Sequence, residues 1–206
     1  MMVPNKESTS KRSKILQLAG KMGLIRPRDL GSIGVDPAYV RHMATKGDLI
    51  RLGRGLYALP KLDFTENHTL AEVATWIPNG VFCLLTAARF HQLGTENPGP
   101  IWLALDRGKR RPVSTMLPKM HLIHLSPRAM RIGVDVHIVE GVTIRVTSPA
   151  RTVVDLFRFR RRAGLETALV ALRQALRNQI PISEIRQYAV EFRAMTYMRP
   201  YLEALL

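Results

Sequence analysis

Arg41, His42, Thr45, Lys46, Arg51 and Arg54 carry the chemistry of nucleic-acid recognition within a short span. Cations neutralise phosphates, and hydroxyl, imidazole and guanidinium groups read base edges. Arg54 stands in the middle of Gly53-Arg-Gly55, between two short apolar runs at residues 49–52 and 56–59. A glycine on each side allows the positive φ of a tight hairpin and pushes the cation to its tip. A second basic group, Arg107, Lys109, Arg110 and Arg111, follows Asp106 in what reads as a loop. Arg158, Arg160, Arg161 and Arg162 form a third. These clusters suit additional, sequence-independent contacts with phosphate.

Catalytic chemistry finds less support. His121-Leu-Ile-His124 has metal-like spacing only on a helix, yet its composition suits a strand, where i and i+3 face opposite sides. No second cysteine or nearby carboxylate pair completes a zinc site. Asp135 and Glu140 flank one strand without a following Glu-x-Lys, so a nuclease metal site is incomplete. Asp106-Arg-Gly-Lys-Arg-Arg111 lacks the Gly-x-x-x-x-Gly-Lys phosphate cradle. The single Cys83 lies in an apolar run and reads as a buried structural thiol. No metal, no cofactor and no enzymatic activity are expected. Arg151 and Asp155, at i and i+4, read first as a helical pair; with Arg158 and Arg173 they also form a candidate partner-binding surface.

The elements that hold the N-terminal cations are legible from periodicity. Ile15, Leu18, Ala19 and Met22 share one helical face over residues 12–23, and Gly23 supplies a stop. Pro27 suits a first helical position, with a short second helix at residues 28–32 and Leu30 and Ile33 inward. Asp36-Pro37 opens a third helix over residues 37–46, ending at Gly47, with Val40, Met43 and Ala44 on the inner face. Three short helices followed by a hairpin form a winged helix-turn-helix, with the third helix as the groove reader.

Further on, helices are expected at residues 66–76 and 86–92, and strands at 101–105 and 121–125. Val134, Val136 and Ile138 alternate with polar residues, as do Val142, Ile144 and Val146, and Glu140-Gly141 joins the two strands as a hairpin. Ser148-Pro149 caps a helix with Ala150, Val153, Val154 and Phe157 on one face. Longer amphipathic helices follow around residues 165–176 and from Pro181. The fold class is α+β: a winged helix-turn-helix, then a small sheet backed by helices. Residues 1–10 read as a flexible arm, 11–60 as the DNA-binding domain and 64–206 as the second domain.

Charge agrees with a polyanionic partner. The 206 residues carry 31 Lys+Arg against 16 Asp+Glu, a formal net charge of +15, and neutralising phosphates releases condensed counterions. No apolar run of about eighteen residues, signal segment or long basic amphipathic helix directs the chain to a membrane. The cytoplasm is the default location. Aromatic residues make up only 6%, which weakens an RNA-binding reading, since single-stranded bases need stacking platforms.

The run Lys14-Ile-Leu together with Gly53-Arg-Gly-Leu-Tyr57 resembles the winged-helix domain of AbiEi-family antitoxins. Val146-Thr-Ser-Pro-Ala-Arg-Thr-Val-Val-Asp-Leu-Phe157, followed by Gly164-Leu-Glu-Thr-Ala-Leu169, resembles the C-terminal domain of that family. The resemblance implies a bacterial toxin–antitoxin pair of the kind tied to phage defence. It further implies an antitoxin that represses its own operon at double-stranded promoter DNA, with possible self-association there. Its C-terminal domain would counter a cognate nucleotidyltransferase-like toxin. The alternatives are a plain winged-helix repressor without antitoxin activity, an RNA-binding regulator and a nuclease.

Overall fold

The computed structural model describes residues 6–53, 55–60, 66–94, 99–108 and 118–205. Arg54, Lys109, Arg110 and Arg111, expected at the DNA interface, lie outside the described residues. The chain is mixed α+β and forms two compact units. One comprises Met1–Ala71 with Ile138–Val142, the other Glu72–His137 with Thr143–Leu206.

The first unit opens with helix α1 (Lys6–Met22). Gly23 closes it at φ 71°, donating its N–H to Ala19 O at 2.9 Å. Strand β1 (Leu24–Ile25) comes next, then a 3₁₀ helix at Pro27–Ile33, helix α2 (Tyr39–Thr45) and strands β2 (Ile50–Gly53) and β3 (Leu56–Ala58). All three strands are antiparallel in the order β1-β3-β2. The buried core is Ile15, Ala19, Ile25, Leu30, Val35, Val40, Met43, Leu49 and Tyr57.

One expectation is corrected in this unit. The second helical segment, a 3₁₀ helix, begins at Pro27 as expected, with the Asp29 carboxylate accepting from Arg26 N at 2.8 Å. The third helix begins two residues later than its proline suggests. Asp36 instead forms a turn, accepting from Ala38 N on its side chain (2.7 Å) and from Tyr39 N on its carbonyl (3.0 Å). Such local side-chain bonds compete with helix formation.

The second unit is built on a five-stranded sheet of order β6-β5-β4-β8-β7. The strands are β4 (Val81–Phe82), β5 (Ile101–Asp106), β6 (Met120–Leu125), β7 (Val134–Val139) and β8 (Val142–Thr147). β5 runs antiparallel to β4 and parallel to β6, in register from Ile101↔Met120 to Asp106↔Leu125. β4 runs parallel to β8 through Phe82↔Val146. Helix α3 (His68–Trp76) precedes the sheet and α4 (Leu84–Phe90) follows β4. The chain ends in α5 (Pro149–Arg158), α6 (Arg160–Ala163), α7 (Leu165–Arg177), α8 (Ile182–Glu191) and α9 (Met195–Ala204). Helix α5 packs against α4, α7 and α8.

That position explains a correction. Ala150, Val153, Val154 and Phe157 on one face predict an α5 whose other face is solvated, yet Ala150 through Phe157 are all buried. A helix surrounded by neighbours buries its polar residues too. In β7 the reverse holds: Val136 and Ile138, expected inward, are 64% and 76% exposed. β7 is the edge strand of the sheet, and these two side chains stay in solvent. Its partner β8 buries Val142, Ile144 and Val146 as expected.

Candidate nucleic-acid interface

Helix α2 separates its residues cleanly. Val40 and Met43 are buried in the core of the first unit, while Arg41, His42, Thr45 and Lys46 are exposed. Burial of the apolar pair orients the helix, so the four polar residues point to solvent as a consequence of packing. The helix ends at Thr45 with Lys46 as its cap, and the backbone turns through Gly47, φ 80°, and a bond from Asp48 N to Met43 O at 3.0 Å into β2. Thr45 donates its hydroxyl to Arg41 O at 3.0 Å, leaving its lone pairs to accept. The Tyr39 and His42 rings lie 5.7 Å apart. Arg41, Lys46 and Arg51 form no ion pair with a carboxylate among the described residues. They are therefore not tied up in ion pairs, as suits a phosphate-facing surface.

The hairpin beside this helix supplies Arg51, exposed on β2. Its Nε donates to Gly53 O at 3.1 Å. The guanidinium is thus held against the turn that leads to Gly55, where φ is 71° and a side chain would be strained. An ion pair that the sequence did not disclose braces the same region. Arg12 of α1 makes two bonds to Asp48, Nη2 to Oδ1 at 2.6 Å and Nε to Oδ2 at 2.9 Å. Hydrogen bonding from Arg12 holds the Asp48 carboxyl below its usual pKa and raises that of the guanidinium. The partners lie 36 residues apart, so no local pattern announces them.

The cations of the second unit divide into two kinds. Arg107, Arg161, Arg162 and Arg173 are exposed. Arg158 instead donates Nη1 to Asp155 Oδ1 at 2.6 Å and sits 4.7 Å from the centroid of the Phe192 ring. Arg160 bonds Phe157 O at 3.1 Å and lies 4.4 Å over Tyr197. Arg151 is 0% exposed and Asp155 1%, so neither belongs to a partner-binding surface. Arg151 joins Asp155 Oδ2 through Nε at 3.1 Å and donates Nη1 to Ala129 O (2.6 Å) and Ile132 O. Its guanidinium also lies 4.7 Å from the Phe192 centroid. The pair is a fastener that ties α5 to the segment after β6.

The candidate catalytic groups do not converge. His121 and His124 lie on strand β6, both exposed, with the His121 ring 4.4 Å from Trp102. Glu140 is bonded to His68 Nδ1 at 2.7 Å. Burial pushes the Cys83 thiol far above its usual pKa, so it stays protonated. His91 of the second unit, which periodicity passed over, hydrogen-bonds Thr147 O through Nε2 at 2.8 Å, and burial lowers its pKa. Among the described residues no group of three or more His, Cys, Asp or Glu side chains could hold a metal ion. No helix among them is long and apolar enough to cross a membrane.

A small helical unit with a cationic helix face beside a β-hairpin, joined in one chain to an α+β unit, is the class of architecture these observations define. Residues 13–60, which hold that helix and hairpin, match the family model described as a transcriptional regulator, AbiEi antitoxin. Among solved structures, the chain is similar to the RV2827C protein from Mycobacterium tuberculosis. The identity is 15%, covering 88% of this chain and 71% of that one, with a TM-score of 0.53; the two share a fold. No curated protein matches the chain.

Proposed function

We propose that the chain is a non-enzymatic, DNA-binding antitoxin that represses its own toxin–antitoxin operon. In this reading residues 11–60 form a winged helix-turn-helix. Arg41, His42, Thr45 and Lys46 of α2 enter the major groove, and Arg51 and Arg54 on the wing reach phosphates or the adjacent minor groove. The observation that carries the reading is the cationic outer face of α2, without ion-paired carboxylates among the described residues, inside the segment that matches a regulator family. Arg107, Lys109, Arg110 and Arg111 add contacts to phosphate.

Residues 64–206 counter a cognate nucleotidyltransferase-like toxin, with Arg158 and Arg173 as the surviving candidates for partner contact. A mobility-shift series on the promoter fragment tests the DNA half. Arg41→Ala and Lys46→Ala should each weaken binding, and unchanged affinity in both would sink the assignment of α2. A plain repressor is the second reading, favoured by the fact that the family match stops at residue 60. Co-expression with the product of the neighbouring toxin gene separates the two. Restored growth supports the antitoxin, and growth arrest despite intact DNA binding supports the plain repressor.

A further inference from the structure

At one end of the five-stranded sheet, the carboxyl ends of the parallel strands β5 and β6 open into a cavity of about 460 Å³. Crevices outside the carboxyl ends of strands are where open α/β sheets take ligands, and the volume falls in the range of about 300–1,000 Å³ for small-molecule sites. Its lining belongs wholly to the second unit and is chemically mixed. Leu105 and Met130 offer apolar wall, Trp76 adds a flat aromatic side chain, and Arg131, Arg145 and Asp106 bring charge.

The charges are arranged for an anion. Neither Arg131 nor Arg145 is ion-paired with a carboxylate among the described residues, and Asp106 does not neutralise them. Arg145 is half-buried on β8, and its Nη2 donates to Met130 O at 2.7 Å. That bond fixes the guanidinium while leaving its other N–H groups for an acceptor. Asp106 accepts from Gly108 N through Oδ1 at 3.1 Å, and Oδ2 remains for a donor. The indole N–H of Trp76 is buried and meets no acceptor among the described residues. With no surface of that nitrogen open to the cavity, Trp76 contributes its ring alone.

We propose that this cavity binds a phosphorylated nucleoside. The phosphate would meet Arg131 and Arg145, the base would lie on the apolar wall with Trp76, and hydroxyl or amino donors of the nucleoside would reach Asp106. A bare inorganic anion would leave the apolar wall and Asp106 unused, and an apolar ring compound would leave both arginines unpaired. The site lies beyond the DNA-binding reading, and its test needs no DNA.

Titration of the full chain with adenosine and guanosine 5′-monophosphates, followed by tryptophan fluorescence and calorimetry, reads the binding directly. Saturable binding of at least one nucleotide is expected, with inorganic phosphate at least about tenfold weaker. Arg131→Glu reverses an exposed charge and should weaken nucleotide binding by at least about tenfold, with the melting temperature unchanged. Asp106→Asn keeps the acceptor for Gly108 N–H and should discriminate against the nucleotide while sparing phosphate. Arg161→Glu, on the remote surface of α6, should leave binding intact. The proposal is overturned by an absence of saturable binding, by phosphate binding as tightly as nucleotide, or by equal losses in Arg131→Glu and Arg161→Glu. The last outcome would mean a diffuse response to the net charge.

Discussion

Helices α2 and α5 both set arginine among apolar residues, and the two arginines end in opposite places. Arg41 is exposed, with Val40 and Met43 beneath it, whereas Arg151 is buried between neighbours on every side of α5. The number of packing partners decides the difference. A helix covered on one side keeps its cations in water, where they can meet a phosphate. A helix covered all round must supply each buried charge with a carboxylate and carbonyls, or the desolvation cost stays uncompensated. One arginine is therefore available for recognition and the other is committed to the fold.

The sharpest way to break this comparison is Arg151→Ala. It leaves Asp155 Oδ2 and the carbonyls of Ala129 and Ile132 without the Arg151 donor, with only Arg158 still on Oδ1, and removing one partner of a buried pair costs about 3–5 kcal/mol. Chemical denaturation should show the loss, and Arg151→Met should lose less, because it restores apolar packing. A midpoint within error of the wild type would mean that the network contributes nothing to the second unit. Arg41→Ala is the counterpart. Its stability should stay within about 0.5 kcal/mol of wild type, as for surface substitutions, while promoter affinity falls by about 1–3 kcal/mol if Arg41 reads a base. Destabilisation by Arg41→Ala would mean that this arginine, too, is committed to the fold.

How much of this was legible in the sequence follows from the range of the interactions. The inner faces of α1, α2, α5 and α8 were visible because each depends on residues three or four apart, as with Ile15 and Ala19 or Ile185 and Ala189. Strands β1 and β4 were missed because two residues carry no period. The short α6 and the Pro200-bearing α9 went unread as well. Arg151 and Asp155 were visible as an i, i+4 pair, but their burial was not: Ala129 lies 22 residues away and Ile132 lies 19. At the candidate interface, the four outward residues of α2 could be named in advance, while Arg12 could not, since its role depends on a partner 36 residues distant.

A smaller effect sharpens the division among the arginines of the second unit. Arg161 and Arg162 are exposed, whereas Arg158 and Arg160 are held by Asp155, Phe157 O and aromatic rings. If the exposed pair meets DNA phosphates, Arg161→Ala with Arg162→Ala should lower the slope of log K against log salt by up to about 0.9 for each phosphate no longer neutralised. Promoter preference over unrelated duplex should be preserved, because phosphate contacts carry no sequence information. An unchanged slope would remove Arg161 and Arg162 from the DNA footprint.

The smallest expected effect concerns the brace between α1 and the start of β2. Arg12 is half exposed, so solvent screens its pairing with Asp48 and the gain is modest. The sign of its pH dependence is nevertheless fixed. Because the Asp48 pKa is lowered in the folded protein, the pair's contribution is fully present above the ordinary carboxylate pKa and is lost as the pH falls through the lowered folded value. NMR titration of the Asp48 side-chain carbon should give a midpoint below the usual carboxylate range in the wild type. In Arg12→Ala the midpoint should return towards that range, since hydrogen bonding from Arg12 is the largest cause of the depression. Any stability difference between the two proteins at neutral pH should vanish in acid, once Asp48 is protonated in both. A midpoint that stays depressed in Arg12→Ala would transfer the effect to the neighbouring Lys46 and His42 charges. It would then be α2's own cations, not α1, that hold the carboxylate at the base of the hairpin.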